Sequence, residues 1–167
     1  AAHSFTLLHD VEEDAFRAQL AALGSGTTLL VDTYDVEEAV RTAVRLAGPE
    51  LGAVRIDSGD LAEQAVSVRK LLDGLGATRT RIIVTSDLDE YQIAALRGAP
   101  VDGYGVGTSL VTGSGHPTSG MVYKLVARAL SDGPDAPLLP VAKRSANKVS
   151  IGGRKYALRR IDARGVA

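Results

Sequence analysis

A short polar pattern recurs four times along the first two thirds of this 167-residue chain, at nearly constant spacing. Each copy reads Asp-x-x-Glu, and the copies begin at Asp10, Asp35, Asp60 and Asp87. An aspartate followed three residues later by a glutamate predicts a helix start, because the aspartate accepts hydrogen bonds from the free N–H groups of the first turn and the glutamate reaches back. The sequence therefore predicts four helices, one from each aspartate.

Three of these helix starts follow short apolar runs at residues 28–31, 53–56 and 81–85. Continuous apolar runs of this length are typical of parallel strands that are covered on both faces. Strand, polar loop and capped helix in repetition predict an α/β fold with a parallel sheet, and a further strand is predicted at 102–105. Ligands of such sheets bind in the loops that follow the strands.

The pattern changes after Gly120 to alternating apolar and polar residues, which predicts a short antiparallel β meander. Its predicted strands cover residues 121–129, 137–144, 148–151 and 154–161. We place a domain boundary near residue 115, which separates an α/β part (1–115) from a β-rich basic part (116–167). Charge changes as well: residues 1–120 hold 9 Lys or Arg against 17 Asp or Glu, whereas residues 121–167 hold 10 against 3.

Composition excludes several classes of protein. The chain has no cysteine, which rules out disulfides and thiolate metal sites, and its three histidines lack metal-ligand spacing. No apolar stretch approaches the ~20 residues needed to cross a bilayer, so a cytoplasmic protein without membrane contact is expected. The basic part lacks interleaved aromatic residues, which favours a solvated face that packs on an acidic region or binds phosphate over a nucleic-acid interface.

Arg55 and Asp57 are the most informative polar pair, because they lie two residues apart within and just after a predicted strand. Side chains two apart in a strand point to the same face. They can form an internal ion pair, or a clamp for a charged and hydroxylated ligand, since arginine offers a planar fork for phosphate or carboxylate. Ser58 and Gly59 then open the following loop.

Two other strand ends carry candidate residues. Asp32 has no capping role, because Asp35 caps the next helix, so Asp32 is a candidate for ligand contact. Ser86 and Asp87 lie at the equivalent position one strand later, where Asp87 is either a helix cap or a site residue.

A glycine-containing loop follows the fourth predicted strand. Gly105, Gly107 and Thr108 have the pattern of a phosphate loop, in which backbone N–H groups converge on an anion and a hydroxyl adds a donor. A tight turn that needs glycine's torsional freedom is the alternative.

Six stretches taken together resemble nicotinate phosphoribosyltransferase, and they occur in that family's order. They are AHSF (2–5), LVDTYD (30–35), VRIDSGDL (54–61), SDLDEY (86–91), YGVGTSL (104–110) and VYKLVA (122–127). The resemblance implies an irregular α/β barrel of the type II phosphoribosyltransferase kind, here partial, joined to a second domain. It also implies a homodimer in the intact protein.

The family's reaction condenses nicotinate with phosphoribosyl pyrophosphate to give nicotinate mononucleotide and pyrophosphate for NAD salvage. The resemblance implies coupling to ATP hydrolysis through a phosphohistidine, and a magnesium ion bound through substrate phosphates. A nicotinamide-using relative is the nearest alternative, and a phosphate-binding α/β module without catalysis is an alternative from another class.

The resemblance also implies roles for individual residues. His3 corresponds to the phosphorylated histidine, Arg55 to a contact with the phosphates and the pyridine ring, and Asp57 to a contact with the ribose or the ring. Asp32 is implied near the phosphoribosyl group.

The remaining roles concern the ribose and its phosphate. Ser86 and Asp87 correspond to a strand end that contacts the ribose, and Gly105, Gly107 and Thr108 to the loop that takes the 5′-phosphate. The family's motif around His3 reads Gly-Thr-x-Ala-His, and this chain opens at the x. We therefore expect a C-terminal portion of the enzyme that lacks its N-terminal half and has little activity alone.

Overall fold

The structure is a computed structural model, and it describes residues 1–113, 115–145 and 149–164. Within these residues it is a mixed α/β fold with one parallel and one short antiparallel sheet. The predicted α/β fold with a parallel sheet is confirmed, whereas closure of a barrel stays a prediction.

The parallel sheet has four strands in sequential order. They are β1 (Thr28–Leu30), β2 (Ala53–Ile56), β3 (Arg81–Val84) and β4 (Gly103–Tyr104). Leu29 is in register with Val54, and Val54 with Ile82. All three side chains are fully buried, which explains why the strands read as continuous apolar runs.

Helices connect these strands and cover the sheet. They are α1 (His3–Leu7), α2 (Glu12–Leu23), α3 (Val36–Ala47), α4 (Leu61–Gly74), α5 (Glu90–Ala95), which runs into a 3₁₀ turn (Leu96–Gly98), and α6 (Thr108–Thr112). Val40 of α3 and Leu72 of α4 are fully buried in the same apolar cluster as the strand residues. The core therefore lies between the sheet and the apolar stripes of its helices.

Two of the four predicted helix caps are confirmed. Asp35 accepts from the N–H of Glu38 at 3.0 Å, and Asp60 accepts from the N–H of Glu63 at 3.0 Å. Each caps the helix that begins at the next residue.

The other two predicted caps are wrong. The helix expected from Asp10 begins at Glu12 after an N-cap at Val11, and Asp10 instead forms an ion pair with Arg128. The helix expected from Asp87 begins at Glu90, where Asp89 caps it by accepting from the N–H of Gln92 at 2.8 Å. Glutamine serves the capping box as well as glutamate does, so two overlapping boxes compete in this stretch.

The predicted meander is present only in part. Its described strands are β5 (Ala127–Ala129) and β6 (Leu138–Pro140), which pair antiparallel. The strand predicted at 121–129 is confined to its last three residues, and residues 149–151 and 154–161 form no strand. Lys148, where one predicted strand begins, lies outside the described residues. Residues 154–161 carry exposed apolar side chains, Leu158 at 93%, so no packing against the rest of the chain favours a strand there.

Candidate functional site

The carboxyl ends of β1 and β2 bring a buried acidic cluster together. Asp32 follows β1 and is fully buried. Its Oδ2 accepts from the backbone N–H of Asp57 at 3.1 Å and from the hydroxyl of Ser58. A buried carboxylate is costly unless hydrogen bonds satisfy it, so these donors fix the positions of both strand ends.

A lysine from the distant C-terminal segment supplies the positive charge of this cluster. Lys143 is 2% exposed, and its Nζ lies 3.4 Å from Oδ2 of Asp32 and 3.4 Å from Oγ of Ser58. The backbone around it is also held: the N–H of Lys143 donates to Oγ of Ser150 at 3.0 Å, and the N–H of Arg144 donates to the carbonyl of Thr33 at 2.9 Å. A buried carboxylate is thereby matched by a buried ammonium.

His3, the first residue of α1, lies over this cluster. Its Nδ1 is 3.2 Å from Oγ1 of Thr33, and its Nε2 is 2.9 Å from Nζ of Lys143. The Nε2 atom is also 3.4 Å from Oδ2 of Asp57 and 3.6 Å from Oδ1 of Asp32. The imidazole is 16% exposed, so it is oriented by contacts on both nitrogens while one edge still reaches solvent.

Asp57 joins the cluster to β3. The hydroxyl of Thr85 donates to Oδ1 of Asp57, whose side chain is 29% exposed. The carboxylate is therefore held by the neighbouring strand and remains accessible to a ligand.

A cavity of about 240 Å³ opens above these residues. His3, Arg55, Asp57 and Lys143 line it together with residues 122–125. Arg55 contributes a guanidinium whose Nε is buried and has no hydrogen-bond partner among the described residues. A cationic fork beside a carboxylate and an imidazole suits a ligand that carries both anionic and hydroxyl groups.

Other predicted site residues line two further cavities. Asp87 and Thr108 line one of about 390 Å³, which shares Val122 with the first cavity. Gly59 and Ser86 line another of about 430 Å³. The structure thus brings His3, Asp32, Arg55, Asp57 and Ser58 into one cluster. It places Gly59, Ser86, Asp87 and Thr108 in the two other cavities, whereas Gly105 and Gly107 line none of these three.

The loop after β3 has an unusual backbone. Ser86 has a φ of 124° and Asp87 a φ of 51°, values that side-chain-bearing residues adopt rarely. Such conformations persist where the surroundings impose them, and they are frequent at ligand sites. Gly59, at φ +79°, occupies the same region in the loop after β2, where a Cβ would also clash with Gln64.

The predicted phosphate loop lies beyond β4. A Cβ on Gly105 would lie 2.4 Å from Cγ2 of Thr85, whereas a Cβ on Gly107 would meet no atom within 4 Å. Gly105 thus has a packing reason to be glycine, and Gly107 leaves its backbone open in front of the short helix α6.

Sequence reasoning missed Thr85 and Lys143 as members of the site, and it marked Thr33 only as part of the strand end at Asp32. Thr33 directly follows Asp32, and Thr85 is the last residue of the third apolar run, so a position at a strand end was the available signal. Lys143 carried no such signal, because it was counted with the other basic residues of a segment expected to be a solvated face that packs on an acidic region or binds phosphate.

A second acidic group lies close to the cluster. Burial, with smaller contributions from the charges of Asp32 and Asp35, raises the pKa of Glu12 from 4.5 to about 7. Its Oε1 is buried without a hydrogen-bond partner among the described residues. The acidic side chains in and next to the cluster therefore outnumber Lys143.

In the part of the chain that the structure describes, no group of three or more His, Asp or Glu side chains converges in a way that would hold a metal ion. Nor is any helix in those residues both long and apolar enough for a membrane span.

Comparison with known proteins identifies relatives along the whole chain. No family model matches the sequence. A nicotinate phosphoribosyltransferase of Mycobacterium tuberculosis is 62% identical and covers 99% of this chain, and one of Bacillus subtilis is 38% identical and covers 96%. The chain spans 37% and 34% of the lengths of these two relatives.

Structural comparison agrees at the level of fold. The crystal structure of a nicotinate phosphoribosyltransferase from Porphyromonas gingivalis matches 89% of this chain and 42% of its own, with a TM-score of 0.72 at 19% sequence identity. The sequence matches over nearly the full chain are decisive, and the chain belongs to the nicotinate phosphoribosyltransferase family.

Proposed function

We propose that the protein of which this chain is a part condenses nicotinate with phosphoribosyl pyrophosphate to give nicotinate mononucleotide and pyrophosphate. ATP hydrolysis drives the reaction in two steps: a nitrogen of His3 takes the γ-phosphoryl group of ATP as ADP leaves, and water later releases that group as inorganic phosphate. The observation that carries the proposal is the convergence of His3, Arg55 and Asp57 on one cavity at the ends of parallel strands. The family membership of the chain supports this choice of substrates.

The chemistry suits these residues. Breaking the bond between C1′ and the pyrophosphate oxygen builds positive charge on the ribose, and fixed groups around it supply most of the catalysis. Asp57 places a carboxylate near that charge, and Arg55 places a guanidinium where phosphate or pyridine carboxylate oxygens bind. An unprotonated histidine nitrogen accepts a phosphoryl group.

The predicted residues outside the cluster complete the proposal. Ser86 and Asp87 contact the ribose, and Gly105, Gly107 and Thr108 take the 5′-phosphate. The shared lining residue Val122 makes the cavity of Asp87 and Thr108 a neighbour of the His3 cavity, so one extended substrate can reach both.

Magnesium fits this site as a companion of the substrate. The carboxylates of Asp32 and Asp57 already contact Lys143 or His3, so they are poorly placed to coordinate a cation with protein ligands alone. Magnesium prefers few carboxylates together with phosphate oxygens and waters, and it supplies charge neutralisation on the pyrophosphate when bound. Asp57, the more exposed of the two, would face it.

The rest of the polypeptide completes the site in this proposal. The four-stranded sheet is one arc of a type II phosphoribosyltransferase barrel, and the intact protein is a cytoplasmic homodimer. The isolated 167-residue chain is accordingly expected to bind substrate weakly and turn over little.

The test is formation of nicotinate mononucleotide by the full-length protein, measured by chromatography with nicotinate or nicotinamide as substrate. Arg55→Ala and Asp57→Asn should each abolish most of the activity, whereas Arg81→Ala, an exposed arginine of β3, should not. Product from nicotinamide alone would move the assignment to the nicotinamide-using relative. Absence of product from both, with equal thermal shifts by phosphate and phosphoribosyl pyrophosphate, would favour the phosphate-binding module.

A further inference from the structure

We propose that Lys143 is a positioning residue that holds His3 in the tautomer with a proton on Nδ1 and an unprotonated Nε2. The inference rests on the proposed function, in which His3 uses that lone pair, and it assigns a role to a residue of the C-terminal segment. It is carried by the 2.9 Å contact between Nζ of Lys143 and Nε2 of His3.

The hydrogen-bond chemistry of the two groups fixes the direction of this contact. An ammonium has three N–H donors and no acceptor, so Nε2 of His3 must accept from it. In the neutral imidazole the proton then resides on Nδ1, which donates to Oγ1 of Thr33 at 3.2 Å. Both ring nitrogens are thereby assigned by their partners.

Without Lys143 the same surroundings favour the opposite tautomer. Carboxylate oxygens only accept, and Nε2 lies 3.4 Å from Oδ2 of Asp57 and 3.6 Å from Oδ1 of Asp32. A proton on Nε2 would satisfy these oxygens, while the Thr33 hydroxyl can turn to donate to Nδ1. Lys143 therefore selects between the two tautomers. The carboxylates alone would favour a proton on Nε2, which would prevent that nitrogen from acting as a nucleophile.

Lys143 is built to perform this role. Its side chain is 3% exposed and its ammonium is anchored by Asp32 and Ser58, so it cannot swing freely into solvent. Its backbone forms reciprocal contacts with Ser150, through Oγ at 3.0 Å and through the Ser150 N–H at 3.1 Å. A lysine that only balanced the charge of Asp32 would not need a direct contact with the imidazole.

The chain offers an internal reference for the measurement. Nδ1 of His9 lies 2.8 Å from the carbonyl oxygen of Phe5, which can only accept, so His9 is also protonated on Nδ1. Lys143 takes no part in that contact. His9 and His3 should therefore give the same nitrogen pattern in the unsubstituted chain, and only His3 should respond to changes at Lys143.

The experiment is long-range proton–nitrogen NMR of the 167-residue chain labelled at histidine, at a pH well above the ordinary histidine pKa of about 6.5. His9→Gln and His116→Gln assign the three rings. We expect a pyridine-like Nε2 for His3 in the unsubstituted chain and a shift toward a pyrrole-like Nε2 in Lys143→Met. Lys124→Met, which removes a lysine lining the same cavity, should leave His3 unchanged.

Chemical rescue distinguishes loss of the Lys143 ammonium from a packing defect caused by the substitution. The chain has no cysteine, so Lys143→Cys can be alkylated at one position with 2-bromoethylamine while denatured and then refolded, which restores an ammonium. Return of the pyridine-like Nε2 signal would support the inference. A protonated Nε2 in the unsubstituted chain would overturn it, and this outcome can be observed even if no variant folds. An unchanged nitrogen pattern of His3 in Lys143→Met would also overturn it.

Failure of this inference and failure of the proposed function give different results. If the NMR expectations hold but the full-length protein forms neither phosphohistidine nor nicotinate mononucleotide, the function is wrong and the positioning of His3 stands. If product forms while Nε2 of His3 carries the proton in the unsubstituted chain, the function stands and Lys143 does not set the tautomer.

Discussion

The hydroxyl of Ser58 donates to Oδ2 of Asp32, and both side chains are almost completely buried at the ends of adjacent parallel strands. The same carboxylate oxygen accepts from the N–H of Asp57 at 3.1 Å. One buried oxygen therefore connects the loop after β1 to the loop after β2. The cluster around His3 and Asp32 is consequently part of the folded framework as well as the proposed ligand site.

This connection makes Asp32 a stability determinant. We expect Asp32→Asn to lower the free energy of unfolding by about 3–5 kcal/mol, because the buried ammonium of Lys143 loses its closest fully buried counter-charge. Urea denaturation of the chain measures the change. Asp60→Asn is the matched control, since asparagine caps helices as well as aspartate does and should cost almost nothing. Equal costs for the two substitutions would contradict the buried pairing.

Helix caps give a second, smaller prediction. Asp35→Ala and Asp60→Ala should each lower the free energy of unfolding by about 1 kcal/mol, because each removes the acceptor for one N–H of a first turn. The Asp10 side chain caps no helix, so Asp10→Ala should change it by less than about 0.5 kcal/mol, because it removes only the ion pair with Arg128 and the Asp10 carboxylate is 81% exposed, although Arg128 is 14% exposed. If Asp10→Ala lowered the free energy of unfolding as much as Asp60→Ala, Asp10 and not Val11 would be the N-cap of α2.

Stability should depend on pH through Glu12. Its pKa is raised by burial from 4.5 to about 7, so the folded chain keeps a proton that the unfolded chain releases near pH 4.5. Its stabilising contribution is therefore complete below pH 4.5 and lost as the pH rises through about 7. The loss is roughly 1–3 kcal/mol after allowance for solvent screening.

Two substitutions isolate this effect in urea denaturation across that pH range. Glu12→Gln should flatten the decline in stability and raise the free energy of unfolding above pH 7. Glu13→Gln should leave the decline in place, because hydrogen bonds from Arg45 and Arg17 lower the pKa of Glu13 to about 2, outside this window. A decline that persists unchanged in Glu12→Gln would assign it to another group.

The glycines of the proposed phosphate loop should separate folding from function. Gly105→Ala forces a Cβ against Thr85 and should cost about 1–3 kcal/mol of stability in thermal denaturation. Gly107→Ala meets no atom within 4 Å, so it should fold normally while weakening phosphoribosyl pyrophosphate binding in the full-length protein. Calorimetric titration measures the binding, and unchanged affinity in Gly107→Ala would remove Gly107 from the phosphate contact.

Local sequence patterns anticipated the α/β body well, because capping and apolar runs are decided within a few residues. Asp35, Asp60 and the β2 run 53–56 are examples in which the nearest neighbours already determine the structure. The stretch from Asp87 to Gln92 could not be settled in this way. Two capping boxes overlap there, and the left-handed backbone of Ser86 and Asp87 moves the helix start to the second.

Non-local contacts explain what the sequence left open. The position of Arg55 and Asp57 on one face followed from strand geometry, and both line one cavity. The burial of Lys143 depends instead on how the segment after β6 docks on the end of β1, through the Arg144 to Thr33 hydrogen bond. No periodicity within the segment encodes that docking, so a solvated lysine and a buried one look alike in sequence.

Lys143 and His3 meet across 140 positions of the polypeptide. We expect a contact between partners this remote to form late in folding, because closing so long a loop has a large entropic cost. Forms of the chain that keep the parallel sheet and its helices but lack the docked segment after β6 would therefore show native helix content. The imidazole of His3 would nevertheless be incorrectly arranged in them. For such molecules, a measurement of helix content and a measurement of the His3 imidazole would give different answers about whether the chain is folded.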